Sequence, residues 1–113
     1  MPDPMKVTLI GASGWYAFDI YRRVFADERM RPVELRIWNR NQATGGAIAE
    51  MLDYVQRESG VRIGFNLYES RKEALRGTDY VLFASCVDYP RASMADREVC
   101  ARFGVHTLEG ETM

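Results

Sequence analysis

The run Lys6-Val7-Thr8-Leu9-Ile10-Gly11-Ala12-Ser13-Gly14-Trp15-Tyr16-Ala17-Phe18 decides the fold. An apolar, β-branched segment stops at a glycine, and a small-residue loop follows. Aromatic and aliphatic residues then recur at helical spacing through Ile20, Tyr21, Val24 and Phe25. This pattern predicts a strand, a tight turn and a helix. The first amides of such a helix have no intrahelical partner, and its dipole favours negative charge there, so the turn is a natural seat for a phosphate or pyrophosphate. Against the spacing G-x-G-x-x-G the match is poor, because Ser13 and Tyr16 replace the second and third glycines. Against G-x-x-G-x-x-[GA], Gly11, Gly14 and Ala17 all match, and Ala17 is small enough to let helix and strand lie close. The plain alternative is a glycine turn that only joins a strand to a helix. Its position at the start of a β-α-β pattern favours the phosphate reading, since dinucleotide-binding folds put that site in their first βα turn.

Outward from this turn, the chain reads as alternating strands and helices. The first strand is expected over 6–10 and the first helix over 14–26, with a polar link closed by Pro32 and residues 1–5 loose. A second strand over 33–38 ends in Trp38-Asn39-Arg40-Asn41. Dinucleotide folds usually have a carboxylate here for the adenosine ribose. Asn39 can bond a ribose hydroxyl without repelling a 2′-phosphate, and Arg40 offers a planar fork suited to phosphate, which points to NADP as well as NAD. An ordinary polar turn, with Asn39 beginning the next helix cap, explains the same residues. A second helix over 42–58 contains Gly45-Gly46, so either it starts late or something approaches its backbone closely.

Val61, Ile63, Phe65 and Leu67 alternate like a strand at a sheet edge. Ser70 and Glu73 fit a capping box for a short helix ending near Gly77. The continuous apolar run from Tyr80 to Ser85 reads as a central strand covered on both faces. Its end, Ser85-Cys86-Val87-Asp88-Tyr89, is expected beside the first turn, where a cofactor ribose would pass. Pro90 suits the first turn of a further helix, ended by Gly104, and residues 105–108 read as a short fifth strand. The expected fold is a Rossmann-like α/β three-layer fold: a mostly parallel five-stranded sheet of order 3-2-1-4-5 with helices on both faces. Residues 1–113 are expected to form one dinucleotide-binding domain. The cofactor-binding candidates are Gly11, Ala12, Ser13, Gly14, Trp15, Tyr16, Asn39, Arg40, Ser85 and Cys86.

The chain has 113 residues, 47% hydrophobic and 27% charged, with a net charge of -1, which gives no electrostatic reason to expect nucleic acid. No apolar run approaches a bilayer span, and the first residues lack the plan of a signal peptide, so a membrane partner is not expected and the cytoplasm is the default location. Cys86, Cys100 and the single His106 make no zinc-module pattern, and both thiols read as small buried or half-buried groups.

These residues resemble the N-terminal half of glycoside hydrolase family 4, the NAD-dependent 6-phospho-glycosidases and α-galactosidases/α-glucuronidases. The resemblance rests on residues 5–12, on Arg71 through Val81, on the stretch from Arg91 through Asp96 to Val105, and on Glu109-Gly110-Glu111-Thr112. It implies a longer protein that uses NAD to oxidise the sugar transiently at C3, acidifying the C2 proton so that the glycosidic bond breaks by elimination. It also implies a divalent metal, often manganese, held by a cysteine and a histidine that follow the dinucleotide-binding domain, so that no metal is expected on Cys86, Cys100 or His106. The family's aspartate at the end of strand two is Asn39 here, its arginine after strand four is Cys86, and the next glycine is Asp88.

Three readings follow: a family 4-like nucleotide-binding domain that does no chemistry alone, a small oxidoreductase completed by an oligomeric partner, or a structural or interaction module without cofactor. Hydride transfer needs a positioned acid or base, and the candidates are Tyr16, Asp88, Tyr89 and His106. Each also has a plainer role: Tyr16 as a packing residue, Asp88 and Tyr89 as loop residues, and His106 as a core or surface histidine. The exposed edge of a fifth strand predicts a homo-oligomer.

Overall fold

A computed structural model describes residues 3–84 and 89–106; of Tyr89 only the backbone is described. Strand β1 (Met5–Ile10) leads into α1 (Trp15–Ala26), followed by a 3-10 turn at Glu28–Met30 and β2 (Val33–Trp38). Helix α2 (Gln42–Ser59), β3 (Gly64–Tyr68), the short α3 (Arg71–Leu75), β4 (Tyr80–Phe83) and α4 (Tyr89–Arg102) complete the order. The four strands form a parallel sheet of order β3-β2-β1-β4. Register aligns Ile10 with both Trp38 and Phe83, and Trp38 with Tyr68, so all four strands end on one edge.

Successive residues of a strand face opposite sides, and β1 uses both. Leu9 joins Leu35 and Ile37 of β2, Ala17, Tyr21 and Val24 of α1, and Ile48 and Leu52 of α2 in one buried core. Its neighbour Thr8 is fully buried on the other side, where its hydroxyl donates to the Ala74 carbonyl of α3 at 2.6 Å and lies 2.9 Å from Thr78 Oγ1. Helices thus cover both faces, as a Rossmann-like α/β fold requires.

Caps and glycines fix the connections. The Asn41 side chain accepts from the Thr44 amide and opens α2, while Gly60 closes it in the left-handed region at φ 71°. Asn41, rather than Asn39, is therefore the cap. Ser70 caps α3 as expected by accepting from the Glu73 amide, but the Glu73 carboxylate pairs with Arg76 at 3.1 Å. Of the glycine pair of α2, Gly45 is explained by close approach, since a methyl group there would meet Leu67 Cδ1 at 2.8 Å, whereas Gly46 faces open space and nothing in the structure explains it.

The third strand is shorter than its alternation predicts. The Ile63 amide donates to Gln56 Oε1 and the Val61 amide to Ser59 Oγ, so both are held by side chains of α2 and the ladder with β2 begins only at Gly64. Strand β4 is not the covered central strand expected. Among the described residues it forms the sheet edge, and Tyr80, Val81 and Phe83 are exposed because no further strand or helix packs over them. The expected fifth strand is likewise absent from the described residues: after α4 and Gly104 (φ 66°), Val105 and His106 are exposed and irregular. The remainder of that strand, Thr107 and Leu108, lies outside the described residues. No helix among the described residues is long and apolar enough to cross a membrane.

Candidate functional site

The chain moves from β1 to β2 to β3 in one direction, then returns across the sheet to place β4 on the other side of β1. Strand order therefore reverses between β1 and β4, and the crevice at their carboxyl ends is where open α/β sheets bind ligands. Gly11 continues β1 there, its amide donating to the Trp38 carbonyl at 3.2 Å, and the Ala84 amide donates to the Ile10 carbonyl at 2.9 Å. Gly11 then takes φ 87°, which a side chain would strain, and the chain turns so that the Gly14 amide donates to the Gly11 carbonyl at 3.3 Å.

Gly14 is the N-cap of α1 and has no side chain to cap it. Among the described residues, the Ala12, Ser13, Trp15 and Tyr16 amides bond to no backbone carbonyl. Three of these belong to exposed residues, Ser13, Trp15 and Tyr16, and stand at the positive end of a twelve-residue helix, where a negative group is favoured, so the turn is the candidate seat for an anion. Two positions of the spacing Gly11, Gly14 and Ala17 have a steric reason: φ 87° at Gly11 and burial of Ala17 against the sheet. At Gly14 a methyl group would sit at ordinary contact distance, 3.6 Å from the Ala84 carbonyl oxygen.

Of the predicted site residues, the structure brings Gly11, Ala12, Ser13, Gly14, Trp15 and Tyr16 together at this turn. Ala12 is buried, Ser13 is exposed, and the Trp15 and Tyr16 side chains are 90% and 70% exposed. Tyr16 is thus not a packing residue: helical rotation turns Ala17, Tyr21 and Val24 to the sheet and leaves it outside. Asn39 and Arg40 stand at the end of β2 on the same sheet edge. Asn39 is buried; its Nδ2 donates to the Asn41 carbonyl at 3.0 Å and its own carbonyl accepts from Gln42 Nε2 at 2.9 Å. Arg40 is exposed. Ser85, Cys86 and Asp88 lie outside the described residues. His106 is far along the chain on an exposed segment, and Cys100 is half-buried on α4. Among the described residues no three His, Cys, Asp or Glu side chains gather as a metal site.

Tyr21 is the residue that sequence reasoning missed as part of the turn. It was legible only as an apolar position of α1, yet its buried hydroxyl donates to the Ala12 carbonyl at 2.7 Å. Burial pushes this phenol above its ordinary value, so it stays protonated and acts as a donor.

The model of family 4 glycosyl hydrolases matches residues 6–113. The chain belongs to that family. Among solved structures, this family 4 chain is similar to a 6-phospho-α-glucosidase from gut microorganisms in complex with NAD and glucose-6-phosphate. That match has a TM-score of 0.65 at 16% identity and covers 91% of this chain and 24% of the other. It is also similar to the 6-phospho-β-glucosidase from Thermotoga maritima with NAD and glucose-6-phosphate, at a TM-score of 0.65, 10% identity, and 90% and 24% coverage. A second structure of that enzyme, with manganese, NAD+ and glucose-6-phosphate, gives 0.62 at 14% identity, with 88% and 24% coverage. At these identities the likeness is one of fold. The family 4 chain spans about a quarter of the length of each. No curated protein matches it.

Proposed function

We propose that residues 1–113 act as one dinucleotide-binding domain of a family 4 glycosidase, taking NAD or NADP. The observation that carries this reading is the Gly11–Gly14 turn at the reversal of strand order, with four amides free of backbone partners and family membership behind it. The residues fit the group. The pyrophosphate would take the amides of the exposed Ser13, Trp15 and Tyr16, with Gly11 making the turn that presents them. The adenosine ribose would meet Asn39, whose Nδ2 is engaged with Asn41, leaving the Oδ1 acceptor for a hydroxyl. Arg40, exposed beside it, would meet a 2′-phosphate.

When bound, the nicotinamide ring supplies a hydride acceptor. This chain's residues supply binding and orientation, and the glycosidase activity belongs to the whole protein. The structures of similar fold carry NAD, which supports the choice of cofactor class. Calorimetric titration of the chain with NAD and with NADP tests the reading, and binding of neither overturns it. Arg40→Ala is expected to weaken NADP by about tenfold and leave NAD unchanged, because a guanidinium–phosphate pair contributes a charge-assisted bond that NAD does not make.

A homo-oligomer in the cytoplasm completes the proposal. Its support is the exposed edge of β4 with Val81 and Phe83, and the exposed Met94, Val99 and Phe103 on and after α4. Light scattering after size exclusion that gives a monomer, or fractionation that finds the protein outside the cytoplasm, counts against the corresponding part.

A further inference from the structure

Tyr21 carries an oxygen where a phenylalanine would fill the same space. Its side chain is only 3% exposed and lies in the core with Leu9, Val24 and Leu52, and Phe18 meets its ring edge-on at 5.7 Å between centroids. Packing alone explains the ring and leaves the hydroxyl unexplained. That hydroxyl donates at 2.7 Å to the carbonyl of Ala12, nine residues earlier and fully buried.

The Ala12–Ser13 peptide is trans, Arg31–Pro32 being the cis bond among the described residues. In a planar trans peptide the C=O and the following N–H point in opposite directions. A carbonyl drawn inward to α1 therefore sends the Ser13 N–H the other way, and Ser13 is exposed. Without the phenol, the buried Ala12 carbonyl would lack a partner, and rotating the peptide outward to water would relieve that cost. The rotation would put a carbonyl oxygen, negative end outward, where the anion seat needs a donor.

We infer that Tyr21 is a positioning residue for the pyrophosphate: by holding the Ala12 carbonyl inward it presents the Ser13 N–H to the anion. This inference rests on the dinucleotide reading above and goes beyond it by assigning a role to a side chain that never touches the ligand. It distinguishes ligands by their phosphates, since adenosine has no group for the Ser13 amide to meet.

The test is Tyr21→Phe in the full chain, followed by amide NMR during titration with NAD and, separately, with adenosine. The wild type is expected to show a downfield shift of the Ser13 amide proton with NAD and none with adenosine. Tyr21→Phe is expected to weaken NAD by roughly tenfold, the loss of about one buried hydrogen bond, to abolish the Ser13 shift, and to leave adenosine affinity unchanged. Equal weakening of both ligands, or unchanged NAD affinity with an unchanged Ser13 shift, overturns the positioning role. Should the phenylalanine variant not fold, Ser13→Pro removes the amide that the phenol is inferred to present: weaker NAD with unchanged adenosine supports the inference, and unchanged NAD affinity overturns it. Failure of the wild type to bind NAD is a different result, which removes the dinucleotide reading and this inference with it.

Discussion

Substituting alanine at Gly45 and at Gly46 separately tests whether α2 carries glycine for a reason. Both lie inside the helix, where alanine is favoured over glycine by about 1 kcal/mol. At Gly46 a methyl group meets nothing within 4 Å, so the full gain is expected. At Gly45 the methyl would stand 2.8 Å from Leu67 Cδ1, and moving that side chain off its rotamer costs roughly 0.5–1.5 kcal/mol. The two effects at Gly45 cancel to within about 0.5 kcal/mol of zero. Urea unfolding, with a slope of about 1–3 kcal/mol/M for a chain of this size, should move the midpoint of Gly46→Ala upward by roughly 0.3–1 M. Gly45→Ala should barely move it. Equal stabilisation by the two variants would refute the close-approach argument.

Thr8→Val keeps the shape of a fully buried side chain and removes the donor to the Ala74 carbonyl. It should cost about 1–3 kcal/mol in urea unfolding, through the carbonyl left unpaired under α3. Asn39→Asp places a carboxylate where a ribose hydroxyl is proposed to bind and should raise the ratio of NAD to NADP affinity at least roughly tenfold by calorimetry, through a charge-assisted bond to one and repulsion of the other's 2′-phosphate. Hydrogen bonds from the Arg29 side chain and amide lower Asp27 to about 2. Its folded value lies below its unfolded one, so its contribution to stability is complete above the ordinary aspartate range and is lost as pH falls toward about 2. Carboxyl NMR titration should find that low midpoint, and Arg29→Ala should return it toward the ordinary value.

The first half of the fold was legible because its signals agree across levels. Apolar runs at 6–10 and 33–38 are strands, helical spacing marks α1 and α2, and Gly11 and Gly60 stand at junctions that suit them; the helix cap, read at Asn39, is Asn41, and β1 begins one residue earlier at Met5. The second half was less legible because its expected environment depends on neighbours. Tyr80–Phe83 is as apolar as a strand covered on both faces, yet composition cannot say whether anything packs over it, and among the described residues nothing does. Val61 and Ile63 alternate correctly for β3, but the Ser59 and Gln56 side chains take their amides before β2 can. Periodicity reports which side of a segment is apolar and is silent about which acceptor wins a particular amide.

The site divides in the same way. Two positions of the turn could be read from spacing because each has a steric reason: φ 87° at Gly11 and full burial at Ala17, whereas Gly14 has room for a methyl group. Ser13, which spoils the alternative spacing, is exposed and makes no steric demand, so replacing glycine there costs the turn nothing. Tyr21 could not be read this way. At helical spacing its ring is indistinguishable from the apolar residues around it, and its hydroxyl matters only because the chain doubles back over nine residues to bring the Ala12 carbonyl within 2.7 Å. A glycine motif specifies where a backbone can come close to an anion. Which way the peptides between the glycines then point is settled by a side chain outside the motif, so two chains with the same glycine spacing need not present the same donors.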